Sequence, residues 1–300
     1  MDDGSAQSTI LLTVVNSGAG WYGGVAYNEY IYGTPYNADY VLKLNTNNKT
    51  LSEVGKNDLA IMSGKLGKFV NGTLASNGEI YFAPNNVGHV LILNPSTDTL
   101  STISSSAWNT KENAHNCCNI IENPVDGMLY VMPNNCDDIV QIDPVHKTTK
   151  IVATIADNEI DKFATALLAP NGKIYCIPSY GYNQIVIFDP NTYDIEYLTI
   201  VGFKTSNFDV YNDAIVAPNN KIYFIPSGAN SDTIWEFDIA TNSLISLATI
   251  DNINDRWCGG KLNRDGKIMC LPYKAVTLLA LDTKISSQIP SLELFKYFNK

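Results

Sequence analysis

Three cations at equivalent places in the repeat stand directly before an aromatic ring: Lys68 before Phe69, Lys162 before Phe163 and Arg256 before Trp257. A cation beside a ring, repeated at regular intervals, could form a collar that grips a small anionic or polar ligand, each contact worth roughly 0.5–2 kcal/mol. The equivalent column carries rings without cations at Trp21 and Tyr211. Two positions further along, the residues turn small or polar: Gly23, Asn71, Asn119, Thr165, Asp213 and Gly259. This set reads in two ways. Either it forms a polar pocket behind the collar, or each cation stacks on a ring of the adjacent unit as a repeated lock, the glycines being there because strands crowd together.

Nucleophilic chemistry has less to work with. Of the three histidines, His89, His115 and His146, only His115 falls on a long loop beside Cys117 and Cys118, with Glu112 the one acid nearby. Sequence neighbours on a loop seldom make a working dyad. The six cysteines, Cys117, Cys118, Cys136, Cys176, Cys258 and Cys270, include no C-x-x-C pair for a metal. Cys117 or Cys118 could reach Cys136, Cys258 could lie near Cys270, and Cys176 sits in an apolar run as a small hydrophobe. Free thiols throughout are the alternative.

The elements that position these residues follow from a repeat. An Asn-Gly-x-Ile-Tyr-x-x-Pro pattern recurs six times, its prolines at Pro35, Pro84, Pro133, Pro178, Pro226 and Pro272, 45 to 49 residues apart. Such a period marks stacked supersecondary units. Within one unit, short runs of Ile, Val, Tyr and Phe are separated by Asn-Gly and Asp-Pro turns, which spells four antiparallel strands and not paired helices. The expected fold is all-β: a single-domain six-bladed β-propeller over 1–300, with blades near 21–54, 68–104, 116–155, 162–201, 210–250 and 256–283. A β-rich segment at 9–15 precedes the first blade, and the sixth lacks a strong fourth strand, so the N-terminal strand is expected to close the last blade. The tail, 284–300, is expected to pack as a short helix. The Asn or Asp ending each third strand reads as a turn cap, and the repeated tyrosines as packing between blades. The loops entering each blade vary in length, which makes their rim and the channel mouth the default binding site.

Composition narrows the partners. With 45% hydrophobic and 17% charged residues, the chain has material for a core. A net charge of −10 opposes nucleic acid. No apolar run is long enough to span a membrane as a helix. The N-terminus shows neither the basic nor the apolar region of a secretory signal, so the chain reads as intracellular or as a mature form. A monomer is expected.

Through its six Gly-x-Ile-Tyr hairpins and following Asp-Pro turns, the chain resembles the six-bladed propellers that include the gluconolactonase, paraoxonase and strictosidine-synthase-like proteins. The resemblance covers nearly all 300 residues and lies in the scaffold. It implies a calcium ion in the channel and lactonase- or esterase-like hydrolysis, with Asn71, Asn119 and Asp213 matching the ligand positions in chemical type. The glutamate of that ligand set is missing, and Gly23 stands in its column. The competing expectation, and the favoured one, is a recognition module that binds a small molecule, glycan or peptide on the variable rim.

Overall fold

The computed structural model of the 300-residue chain describes residues 20–62, 64–108, 116–155, 159, 161–179, 182–200, 211–227, 233–249, 257–272, 277–283 and 292–296. The chain divides into two compact units, Met1–Asn113 and Ala114–Lys300.

The first unit holds two four-stranded sheets. One comprises β1 (Trp21–Tyr27), β2 (Tyr30–Pro35), β3 (Val41–Asn45) and β4 (Leu51–Val54). A short helix, α1 (Lys56–Leu59), and a turn of 3-10 helix lead into the other: β5 (Phe69–Leu74), β6 (Ile80–Pro84), β7 (His89–Asn94) and β8 (Thr99–Ser104). Val25, Tyr32, Val41, Phe69, Phe82 and Leu93 are among the buried residues that pack the two faces together.

The second unit holds four sheets. The third blade is β9 (Cys117–Glu122), β10 (Leu129–Pro133), β11 (Asp138–Asp143) and β12 (Thr148–Thr154); the fourth is β13 (Phe163–Leu168), β14 (Ile174–Pro178), β15 (Gln184–Phe188) and β16 (Ile195–Thr199). The fifth is β17 (Tyr211–Ala217), β18 (Lys221–Pro226), β19 (Thr233–Asp238) and β20 (Ser243–Thr249). The sixth is β21 (Trp257–Leu262), β22 (Lys267–Pro272), β23 (Thr277–Asp282) and β24 (Leu292–Lys296). Every sheet is an antiparallel meander, and the fold is the expected six-bladed β-propeller with almost no helix.

Local chemistry explains the blades. Gly78, Gly172 and Gly266 turn the first hairpins of their blades with φ of +82°, +80° and +81°, and Asn220 adopts φ 60° at the same place in the fifth. The side-chain oxygens of Asn45, Asn94, Asp143, Asp189 and Asp238 each accept a backbone N–H two residues on, so these groups cap turns. Tyr32, Tyr81, Tyr130, Tyr175 and Tyr223 are buried. Within the first unit the Tyr32 hydroxyl donates to the Pro95 carbonyl at 3.4 Å, and within the second Tyr130 donates to Pro190 at 3.2 Å. Each thereby pins one blade to a turn of the next.

All six first strands slip register near their start: between the first and third residues in β9, β13 and β17, the first and fourth in β1, the second and fourth in β21, and the second and fifth in β5. One extra residue there bends the strand and re-aims the side chains that follow.

The sixth blade corrects one expectation. Its described fourth strand is β24, paired from Thr277↔Lys296 to Leu281↔Leu292; the segment 9–15, expected in that place, lies outside the described residues. The stretch 292–296 of the tail is accordingly a strand and not a helix. Closing the short loop between β23 and β24 costs far less chain entropy than joining strands from opposite ends of the sequence.

Candidate functional site

In the first unit Lys68 is fully buried, and its Nζ donates to the carbonyl of Asn37 at 3.0 Å, to Asp39 Oδ1 at 3.0 Å and to the carbonyl of Lys65 at 3.1 Å. The Asn37 side chain accepts the Gly67 N–H at 2.8 Å. The loop after β2 thus fastens the strand entry of the second blade. The second unit repeats the device: Lys162, also fully buried, donates to Asp137 Oδ1 and to the Glu159 carbonyl at 3.0 and 3.2 Å, while Asn135 and Asp161 are linked through both side-chain and backbone groups.

Phe69, Phe163, Tyr211 and Trp257, four rings of the expected collar, are buried. Phe69 lies edge-on to His89 at 5.8 Å and Phe163 edge-on to Tyr182 at 5.3 Å. Tyr211 donates its hydroxyl to the Thr233 carbonyl at 2.8 Å. Trp21 is half-buried, its indole N–H donating to the Tyr40 carbonyl at 3.2 Å. Arg256 lies outside the described residues.

The small and polar column links adjacent inner strands. Asn119 donates through Nδ2 to the Ala166 carbonyl on β13 at 2.8 Å and accepts the Ile120 N–H at 2.8 Å. Asp213 accepts the Ala214 N–H at 2.9 Å and, from β21, the Gly260 N–H at 3.3 Å. Burial pushes the Asp213 carboxyl up, against the pull of those N–H groups and of Lys261. In the first unit the Asn71 carbonyl accepts the Thr34 hydroxyl at 3.2 Å. Asn71 takes a left-handed φ of 48°, and a Cβ added at Gly23 would meet its side-chain oxygen at 3.2 Å. Among the described residues no cluster of three or more His, Cys, Asp or Glu groups could hold a metal.

The residues of the lock that sequence reasoning passed over are Asp39 and Asp137. Their signal was present: Pro-x-Asn-x-Asp occurs at both 35–39 and 133–137. His89 was passed over as well. It opens β7 beside the entering loop of the second blade, and among the described residues its buried Nε2 has no hydrogen-bond partner, nor does the buried Oδ1 of Asn86. Burial first, and then Lys65, hold the imidazole below the usual histidine range, so it is neutral at pH 7. The Asn86 amide donates to the Leu66 carbonyl at 3.0 Å. A Cβ on Gly67 would meet Asn86 Nδ2 at 2.8 Å and the Tyr36 hydroxyl at 3.3 Å. Tyr36 packs against Tyr22 with ring centroids 5.7 Å apart, and Leu66 and Tyr22 are 68% and 45% exposed. Two aromatic rings, an exposed leucine, a lysine and two unsatisfied polar atoms therefore occupy the loop-bearing side of the first unit.

No protein-family model matches the chain, and no curated protein resembles it in sequence. Solved structures do resemble it in fold. Virginiamycin B lyase from Staphylococcus aureus superposes with a TM-score of 0.72 at 13% identity, covering 96% of this chain and 88% of that one. YCF48 bound to D1 peptide gives 0.61 at 12% identity over 89% and 78%. The extracellular domain of a one-component system from B. thetaiotaomicron gives 0.59 at 12% identity over 86% of this chain and 32% of the other. These likenesses are of fold alone and do not single out the gluconolactonase and paraoxonase group; the number of blades is read from the six sheets of this chain.

Proposed function

We propose that the chain is a recognition module that binds a peptide segment on the loop-bearing side of its first unit, around Tyr22, Tyr36, Lys65, Leu66, Asn86 and His89. The observation that carries this reading is the pair of buried polar atoms, Asn86 Oδ1 and His89 Nε2, without partners among the described residues beside exposed Leu66. An unsatisfied buried polar atom costs about 1–3 kcal/mol, so it calls for a group that completes it. A peptide offers alternating N–H and C=O groups for Asn86 and His89, an apolar side chain for Leu66 and the tyrosines, and a carboxylate for Lys65. A structural neighbour bound to a peptide supports this class of ligand. The test is a displayed-peptide selection, followed by Kd measurements on Leu66→Ala and Lys65→Ala. Tenfold or greater loss of affinity at unchanged melting temperature is expected. Selected peptides that bind both variants as tightly as the native chain would overturn the assignment.

A calcium-dependent hydrolase is the second reading, and the buried carboxyl of Asp213 favours it, because a cation would relieve the cost of ionising that group. Millimolar calcium should then raise the melting temperature of the native chain but not of Asp213→Asn. No shift in the native chain removes this reading.

A further inference from the structure

We propose that Cys117 and Cys136 are a redox pair that closes to a disulfide, tying the start of β9 to the loop that fastens the fourth blade. Their sulfurs lie 3.9 Å apart, and the Cys136 thiol also donates to the Asn116 carbonyl at 2.9 Å. A disulfide of about 2.05 Å requires the sulfurs to approach by roughly 2 Å, within the swing of the two side chains. Both cysteines are buried.

Comparison of equivalent blades supports the pairing. In the first blade the Gly20 carbonyl accepts the N–H groups of Tyr36 and Ala38, and Trp21 pairs with Pro35. In the third, the Asn116 carbonyl accepts those of Asn134 and Cys136, and Cys117 pairs with Pro133. Cys117 and Cys136 therefore replace Trp21 and Ala38 in the same framework. Two departures from the repeat fall in one place, and they fall on the two residues whose sulfurs meet. The neighbouring thiol does not compete, since Cys118 points into the core cluster that contains Cys176 and bonds the Met132 carbonyl at 3.7 Å.

The loop concerned carries the lock. Asn134 accepts the Phe163 N–H, Asn135 holds Asp161, and Asp137 holds Lys162. The oxidant of the proposed step is hydrogen peroxide, a small two-electron oxidant of thiols. The Cys117 S–H bond, ahead of other influences, draws the Cys136 thiol below its ordinary range. Cys136 sulfur attacks one peroxide oxygen, the O–O bond breaks, and one water leaves with a sulfenic acid on Cys136. Cys117 sulfur then attacks Cys136 sulfur, the S–O bond breaks, and a second water departs as the S–S bond forms. Two thiols and one peroxide give one disulfide and two waters.

The test treats the full chain with hydrogen peroxide and maps linkages by mass spectrometry without reduction. The expected product is a single Cys117–Cys136 crosslink, two fewer alkylatable thiols after denaturation, and a higher melting temperature that dithiothreitol reverses. Cys136→Ala, which restores the residue of the first blade, should lose all three effects, and Cys118→Ala should keep them. A crosslink that uses Cys118, or oxidation to sulfinic acid with no crosslink, would overturn the assignment.

Discussion

A buried ammonium facing a half-exposed carboxylate is an asymmetric pair, and the asymmetry can be measured. Lys162 is shut off from solvent, whereas the side chain of Asp137 keeps 48% of its exposure. Removing the carboxylate takes a counter-charge from a buried ammonium, and removing the lysine leaves a carboxylate that water can still reach. Asp137→Ala should therefore cost about 3 kcal/mol in urea unfolding and Lys162→Met about 1 kcal/mol. The reverse order would mean that the aspartate contributes little to the lock. His89 sets a pH dependence in the first unit. Its folded pKa is depressed, so at mildly acidic pH the unfolded chain takes up a proton that the fold resists. That share of stability is complete above about 6.5 and is lost as pH falls below it toward the folded value. Replacing His89 by Phe should flatten the fall in melting temperature on acidification through that window. An equally steep fall in the variant would assign the titration to another group.

At the level of elements, the hairpins were legible because their turn chemistry is local: a glycine or asparagine at positive φ, an aspartate over two N–H groups, a buried tyrosine between. The closing strand was not legible, because Leu292–Lys296 is five residues long and carries no turn signature of its own. The Val- and Ile-rich run at 9–15 outscored it on propensity. Only pairing with β23 distinguishes the two. The register predicts a disruption experiment. Leu294 and Phe295 stand opposite Leu279 and Leu278. Alternate N–H groups of an outer strand face its partner, so one of Leu294→Pro and Phe295→Pro must remove a ladder bond. That variant should melt several degrees lower and scatter more light as the edge of β23 is bared. Unchanged behaviour in both would dissociate β24 from the sheet.

Taken whole, the chain announces its scaffold six times over, and for that reason it says little about its site. Residues that recur in every repeat, such as the tyrosines and the turn carboxylates, encode packing and capping. The cations and rings that looked like a collar recur too, and Lys68, Lys162, Phe69 and Phe163 are all buried. What singles out one place in the molecule is deviation: the Cys117–Cys136 pair, or the unsatisfied groups of Asn86 and His89. Deviation is visible in a sequence only once the framework is known residue by residue. The same framework bears on how the protein ages. Asn77 and Asn171 are exposed, and each precedes a glycine, the arrangement most prone to spontaneous succinimide formation and conversion to aspartate. Asn171 donates to the Tyr175 hydroxyl, whereas in the third blade the Tyr130 hydroxyl donates to Asp126 before Gly127. The hairpin is thus built twice already with the deamidated residue, at Asp126 and at Asp265, and in the third blade the hydroxyl is reversed. Old molecules should accumulate negative charge at these turns and keep their blades.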